Sequence, residues 1–155
     1  MFRDARSSNR NNGGIRWRTE RAGVCWLCRG LKGRIINLFP DENMGDALVE
    51  VHNTRIYLEC VSTYDYCAEL HIPTSDNNFS SYSQSATRRI FARLQMKIDK
   101  RYSDNRSLLV IVDHAFPFGK RTLAHNATLM RSCDLTCFPY AYMIELLTKT
   151  IHHIK

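Results

Sequence analysis

A chain of 155 residues can enclose one hydrophobic core but leaves little for a second. Its 44% apolar and 24% charged residues are ordinary globular usage, which excludes a fibrous or low-complexity chain, and no run approaches the roughly 18 apolar residues of a membrane span. The net charge of +7, with a pI near 9.3, points to an anionic partner, of which nucleic acid is the usual one.

The charge is concentrated at the start. Residues 1–21 hold six arginines against Asp4 and Glu20, which is +4 of the net +7. Residues 7–14 carry no apolar side chain, so residues 1–16 are expected to form a disordered basic arm ahead of a single domain over residues 17–155. No apolar segment follows the basic start, so no export signal is expected. Six cysteines in such a chain are expected to be reduced thiols in the cytoplasm.

The first predicted element is a helix over residues 19–31. Thr19 is its N-cap, Ala22, Cys25, Trp26, Leu27 and Leu31 form its apolar side, and Gly33 ends it. A polar break at residues 40–43 follows. Residues 47–51 and 55–61 are rich in β-formers and flank His52-Asn53-Thr54, which predicts two antiparallel strands joined by a tight turn with Asn53 at positive φ. On the second strand Glu59 and Val61 share a face.

After a Ser/Asn/Asp-rich loop over residues 73–85, a strong helix is predicted over residues 84–102. Ala86, Ile90, Leu94 and Ile98 recur every four residues. Its polar side carries Arg88, Arg89, Arg93, Lys97, Lys100 and Arg101 against the single acid Asp99, and Arg89, Arg93 and Lys97 form one row suited to phosphates. Residues 108–112 are continuously apolar, as in a strand buried on both faces, and a helix between it and the hairpin predicts a βαβ crossover. Beyond Pro117 a short helix over residues 123–135 and a C-terminal helix over residues 140–154, with Ile144, Leu147 and Ile151 inward, complete a mixed α/β sheet flanked by helices.

The residues that could carry chemistry are acidic. Asp46 stands at the mouth of the first hairpin strand and Glu59 lies in the second. Two carboxylates on adjacent strands can share a hard dication such as Mg²⁺ or Mn²⁺, which polarises a phosphate and acidifies a bound water. Glu20, on the first helix, is a third candidate acid.

The order helix, Asp46, hairpin, Glu59-Cys60-Val61, basic helix, buried strand resembles the PD-(D/E)XK nuclease superfamily, the restriction-endonuclease-like fold, over roughly residues 17–115. The resemblance implies that Asp46 and Glu59 bind Mg²⁺, with Glu20 as the helix acid. It also implies a lysine two residues after the glutamate, and here that position is Val61. Some members carry the lysine on the following helix, where Lys97 or Lys100 is placed to serve; others have lost catalysis. The implied function is a Mg²⁺-dependent nuclease with an altered catalytic motif, or an inactive module of the same fold that binds nucleic acid or a protein. Arg88, Arg89, Arg93, Lys97 and Arg101 are the expected nucleic-acid contacts.

A third reading is a zinc-stapled interaction protein. Cys25-Trp26-Leu27-Cys28 is a CxxC, and with Cys133 and Cys137 it could supply four thiolates. A CxxC inside a helix lacks the turn a zinc knuckle needs, and burial for packing is the commoner fate of cysteine, so zinc is not expected. His114, just past the buried strand, is expected to be structural, and His152 and His153 to face solvent.

Overall fold

The structure, a computed structural model of the chain, describes residues 10–38, 45–62, 79–112 and 120–155. Among them are three helices, α1 (Arg10–Gly30), α2 (Phe79–Asp99) and α3 (Lys120–Arg131). Six strands make one mixed sheet: β1 (Arg34–Leu38), β2 (Ala47–Val51), β3 (Thr54–Ser62), β4 (Ser107–Val112), β5 (Ala141–Glu145) and β6 (Thr150–His153). Their order in the sheet is their order in the chain. The strands β1, β2 and β3 form an antiparallel meander, β4 and β5 run parallel to β3, and β6 returns antiparallel. No helix among the described residues is long and apolar enough to cross a membrane.

The predicted hairpin is present. His52 and Asn53 both adopt left-handed φ, +49° and +60°, the pair of conformations that a two-residue turn needs to match the strand twist. The α2 crossover joins parallel neighbours β3 and β4, as the sequence pattern implied. Every residue of β4 is buried, because parallel strands flank it and helices cover both faces of the sheet.

Strand alternation divides the core in two. Leu109, Ile111, Tyr142, Ile144, Leu58 and Cys60 pack with Val24, Leu27 and Cys28 of α1. Leu108, Val110, Val112, Ala141, Met143 and Val61 pack with Ile90, Leu94 and Ile98 of α2 and Ala127 and Met130 of α3. Gly23 lets α1 lie close on β4, since a Cβ there would come within 2.5 Å of Ile111.

Five elements depart from expectation. The chain is helical from Arg10, so residues 10–16 belong to α1 and Thr19 is a buried mid-helix residue, not an N-cap; residues 1–9 lie outside the described residues. The strand β1 was not expected. The helix α2 begins five residues early, at Phe79, and α3 spans Lys120–Arg131.

The C-terminal helix is instead the hairpin β5–β6. Both faces of β5 are buried, so its apolar residues show no alternation and mimic a helical stripe. Lys149 turns the chain at φ +58°, and the Glu145 carboxylate accepts the Thr148 amide at 3.0 Å to close the turn. Ile144 and Ile151 pair across the hairpin, whereas Leu147 stands 57% exposed in the turn.

Candidate functional site

The site lies where β2 begins and β3 runs on without it. Ala47 pairs with Leu58, and beyond that point, among the described residues, β3 keeps only β4 as a neighbour. The Asp46 amide donates to the Leu58 carbonyl at 2.7 Å, and the Asp46 carboxylate accepts the Cys60 amide at 2.9 Å. The side chain thus continues the ladder by one step and satisfies a buried backbone donor that would otherwise lack a partner strand. Continuing the register by one residue sets position 46 directly opposite Glu59.

Gly45 makes the approach possible. Its φ of +109° is strained for any residue with a Cβ, and a Cβ there would press within 2.7 Å of the Leu58 carbonyl. It would also stand 3.8 Å from the Glu59 carboxylate. The Gly45-Asp46 corner and the Glu59 side chain are therefore neighbours.

Glu59 is buried, on the sheet face that α2 covers. One carboxylate oxygen, Oε1, receives the ammonium of Lys97, and Oε2 receives Arg106 Nη1 at 2.9 Å. Burial is the largest influence on this carboxyl and opposes its ionisation, but the hydrogen bonds and charges of Lys97 and Arg106 together outweigh it. Glu59 is held below the usual carboxylate range.

The acids Glu20, Asp46 and Glu59 are 3%, 5% and 6% exposed. All three bear on the Cys60 thiol, which is pushed well up, first by burial and then by the negative charges of Asp46, Glu20 and Glu59. Helix α1 and the β2–β3 fork thus each bring acidic charge to bear on this one buried thiol. Among the described residues, however, no three His, Cys, Asp or Glu side chains stand close enough to hold an ion between them.

Of the two candidate lysines, Lys97 reaches Glu59, whereas Lys100, one residue past the end of α2, is exposed. Val61 points into the apolar core with Ile90 and Leu94. The expected row of phosphate contacts changes character. Arg93 donates to the Ser62 carbonyl at 2.6 Å and Lys97 to Glu59, so this part of the row grips β3. Arg88 and Arg101 are exposed; the Arg89 side chain lies outside the described residues.

Sequence reasoning missed Arg106. It stands just before β4, pairs with Asp104 through Nε and Nη2 at 2.8 and 2.5 Å, and lies over the Tyr102 ring at 4.2 Å. Burial, then the Glu59 charge, raises the Tyr102 hydroxyl above its ordinary value.

Among the described residues the cysteines do not assemble. Cys28 packs with the α1 face of the sheet, and Cys133 and Cys137 pack against the α2–α3 face, so the four-thiolate reading fails on geometry. The Cys28 thiol is pushed up to about 11 by burial and by Cys25. His152 is half-buried, which corrects its expected exposure, while His153 is exposed with its ring edge-on to Tyr142. His114 lies outside the described residues. By sequence and by structure the chain matches no protein-family model, no curated protein and no solved structure.

Proposed function

We propose that this chain is a divalent-cation-dependent nuclease domain of the restriction-endonuclease-like kind, with Asp46 and Glu59 as its cation-holding carboxylates and Lys97 in place of the lysine missing at position 61. The observation that carries the reading is the contact between the Lys97 ammonium and Glu59, made from the helix that follows the hairpin. The element order supports it: a helix, a three-strand meander, a crossover helix and a strand parallel to the third.

The donor set suits a hard dication in its two-carboxylate form, in which water fills the remaining positions. Asp46 and Glu59 are cross-strand neighbours, and Gly45 leaves space beside Glu59. Glu20, buried on α1, is the third acid of this reading. When bound, Mg²⁺ or Mn²⁺ supplies polarisation of a phosphodiester and a more acidic water. Lys97 keeps Glu59 ionised and places a positive charge at the same carboxylate, where charge on a phosphate would build. The exposed Arg88, Lys100 and Arg101 on and beside α2 offer sequence-tolerant contacts to a phosphate backbone.

One observation favours a second reading. Both Glu59 oxygens are already engaged by cations, as in a closed structural ion-pair cluster, which would leave a nucleic-acid-binding module without catalysis. Cleavage of end-labelled DNA and RNA with Mg²⁺ or Mn²⁺ separates the two. The nuclease reading requires cleavage by wild type that Asp46→Asn and Glu59→Gln each abolish. Salt-sensitive binding with no cleavage under any of these conditions selects the binding module.

A further inference from the structure

The two oxygens of Glu59 are held in different ways. Arg106, on Oε2, is fixed from two further sides. Asp104 takes its Nε and Nη2, the Tyr102 ring lies under its guanidinium, and the Tyr102 ring itself rests on the fully buried Phe138, with centroids 5.9 Å apart. Arg101 and Asn105, at φ +44° and +49°, bend the α2–β4 connection that carries Tyr102 and Asp104. Lys97, on Oε1, sits at the end of a flexible four-carbon stem, and its side chain is more exposed, 17% against 10% for Arg106.

We propose that Arg106 is a positioning residue that fixes Glu59 through Oε2, leaving Oε1, where Lys97 stands, as the side at which a divalent cation exchanges in. This rests on the reading of Glu59 as a cation-holding carboxylate, although the anchor can be tested without any cation. Exchange at Oε1 gives up one point-charge contact, and a lysine can swing aside within its rotamers. Exchange at Oε2 would strand a guanidinium that is already locked by its fork to Asp104 and its stack on Tyr102. The asymmetry comes from the chemistry of the two cations: a planar fork with several fixed donors against a single mobile ammonium.

Two measurements on the whole chain decide it. The first uses double-mutant cycles in urea without divalent cation, pairing Glu59→Gln with Arg106→Gln and, separately, with Lys97→Met. The coupling between positions 59 and 106 should be at least about tenfold in the unfolding constant and larger than that between 59 and 97. Should Arg106→Gln fail to fold, Arg106→Lys and Asp104→Asn take its place. Asp104 is 35% exposed, and its loss should weaken the anchor while the fold persists.

The second is calorimetric titration with Mn²⁺. Asp104→Asn and Arg106→Lys should each weaken Mn²⁺ binding by about tenfold, the scale on which groups orienting a metal ligand act, whereas Lys97→Met should not weaken it. A coupling to Lys97 as large as that to Arg106 overturns the anchor. Mn²⁺ binding by Asp104→Asn and Arg106→Lys equal to wild type overturns the positioning role. A wild type that binds no Mn²⁺ overturns both the exchange at Oε1 and the cation reading, and the cycles then judge the anchor alone.

Discussion

Replacing Lys97 by methionine separates the chemical role of its ammonium from the packing role of its stem. Methionine keeps most of the apolar stem and loses the charge. The Glu59 side chain is 8% exposed and that of Lys97 17%, so their contact is largely desolvated. Breaking a buried ion pair outright costs about 3–5 kcal/mol, because one charge is left uncompensated. Here Arg106 stays on Oε2, so the carboxylate keeps a cationic partner and the expected loss in stability is nearer to about 1–3 kcal/mol. The expected loss in cleavage is larger. Removing one group that stabilises charge in the transition state costs about 10²–10³ in rate, or about 2.7–4 kcal/mol. Lys100→Met is the control, since an exposed substitution should stay within about 0.5 kcal/mol of wild type in stability. Urea unfolding gives the first quantity, and single-turnover cleavage of labelled DNA and RNA with Mn²⁺ gives the second. Full cleavage by Lys97→Met, or an equal loss in Lys100→Met, would refute the assignment of Lys97.

Three further outcomes are expected. Gly45→Ala should destabilise the chain by roughly 2 kcal/mol or more, since it puts a Cβ at φ +109° against the Leu58 carbonyl; a change under about 0.5 kcal/mol in urea would contradict the geometry of that corner. Val61→Lys should cost roughly 3 kcal/mol or more by placing an ammonium in the α2-facing core, and should not raise cleavage while Lys97 is present; a more active variant would return the catalytic lysine to position 61. The lowered Glu59 pKa contributes stability that is fully present above the unfolded carboxyl value near 4.3 and is lost as pH falls through the lower folded value. The stability gap between wild type and Glu59→Gln, read in urea without divalent cation, should therefore shrink as pH is lowered from about 5, and a gap that stays constant down to acid unfolding would contradict it.

How much was legible in the sequence varies with how local the cause is. The β2–β3 hairpin was readable because its turn is built into two adjacent residues, His52 and Asn53, and β4 because strands buried on both faces are continuously apolar. The start of α1 was not, because residues 10–14 offer no apolar stripe for periodicity to register. The strand β1 was missed for a related reason. It has only five residues, mostly exposed, with its register to β2 interrupted between Ile35 and Asn37. The β5–β6 hairpin failed in the opposite sense. Apolar residues on both faces of β5 leave no period to distinguish strand from helix. In the candidate site, Asp46, Glu59 and Lys97 were singled out from residue type and position around the hairpin and its following helix, and the structure brings Lys97 to Glu59. Arg106 was not found, because its role depends on the parallel register that sets Leu58 beside Ser107, a fact that no local pattern encodes.

That same register explains why valine at position 61 and lysine at position 97 belong together. The helix α2 returns along β3 from its C-terminal end, with Arg93 on the Ser62 carbonyl and Lys97, one turn later, on Glu59. Position 61 lies on the same face of β3 and joins the cluster with Ile90 and Leu94 of that helix. A lysine there would have to cross the apolar contact between helix and sheet to reach the carboxylates. Supplied from the helix, the ammonium enters from the half-exposed side and leaves the contact apolar. The absence of lysine from the strand is thus what packing under α2 requires, and it does not by itself mark a lost site. What would mark one is a permanently closed Glu59, and whether Glu59 is closed rests on the partner at Oε1.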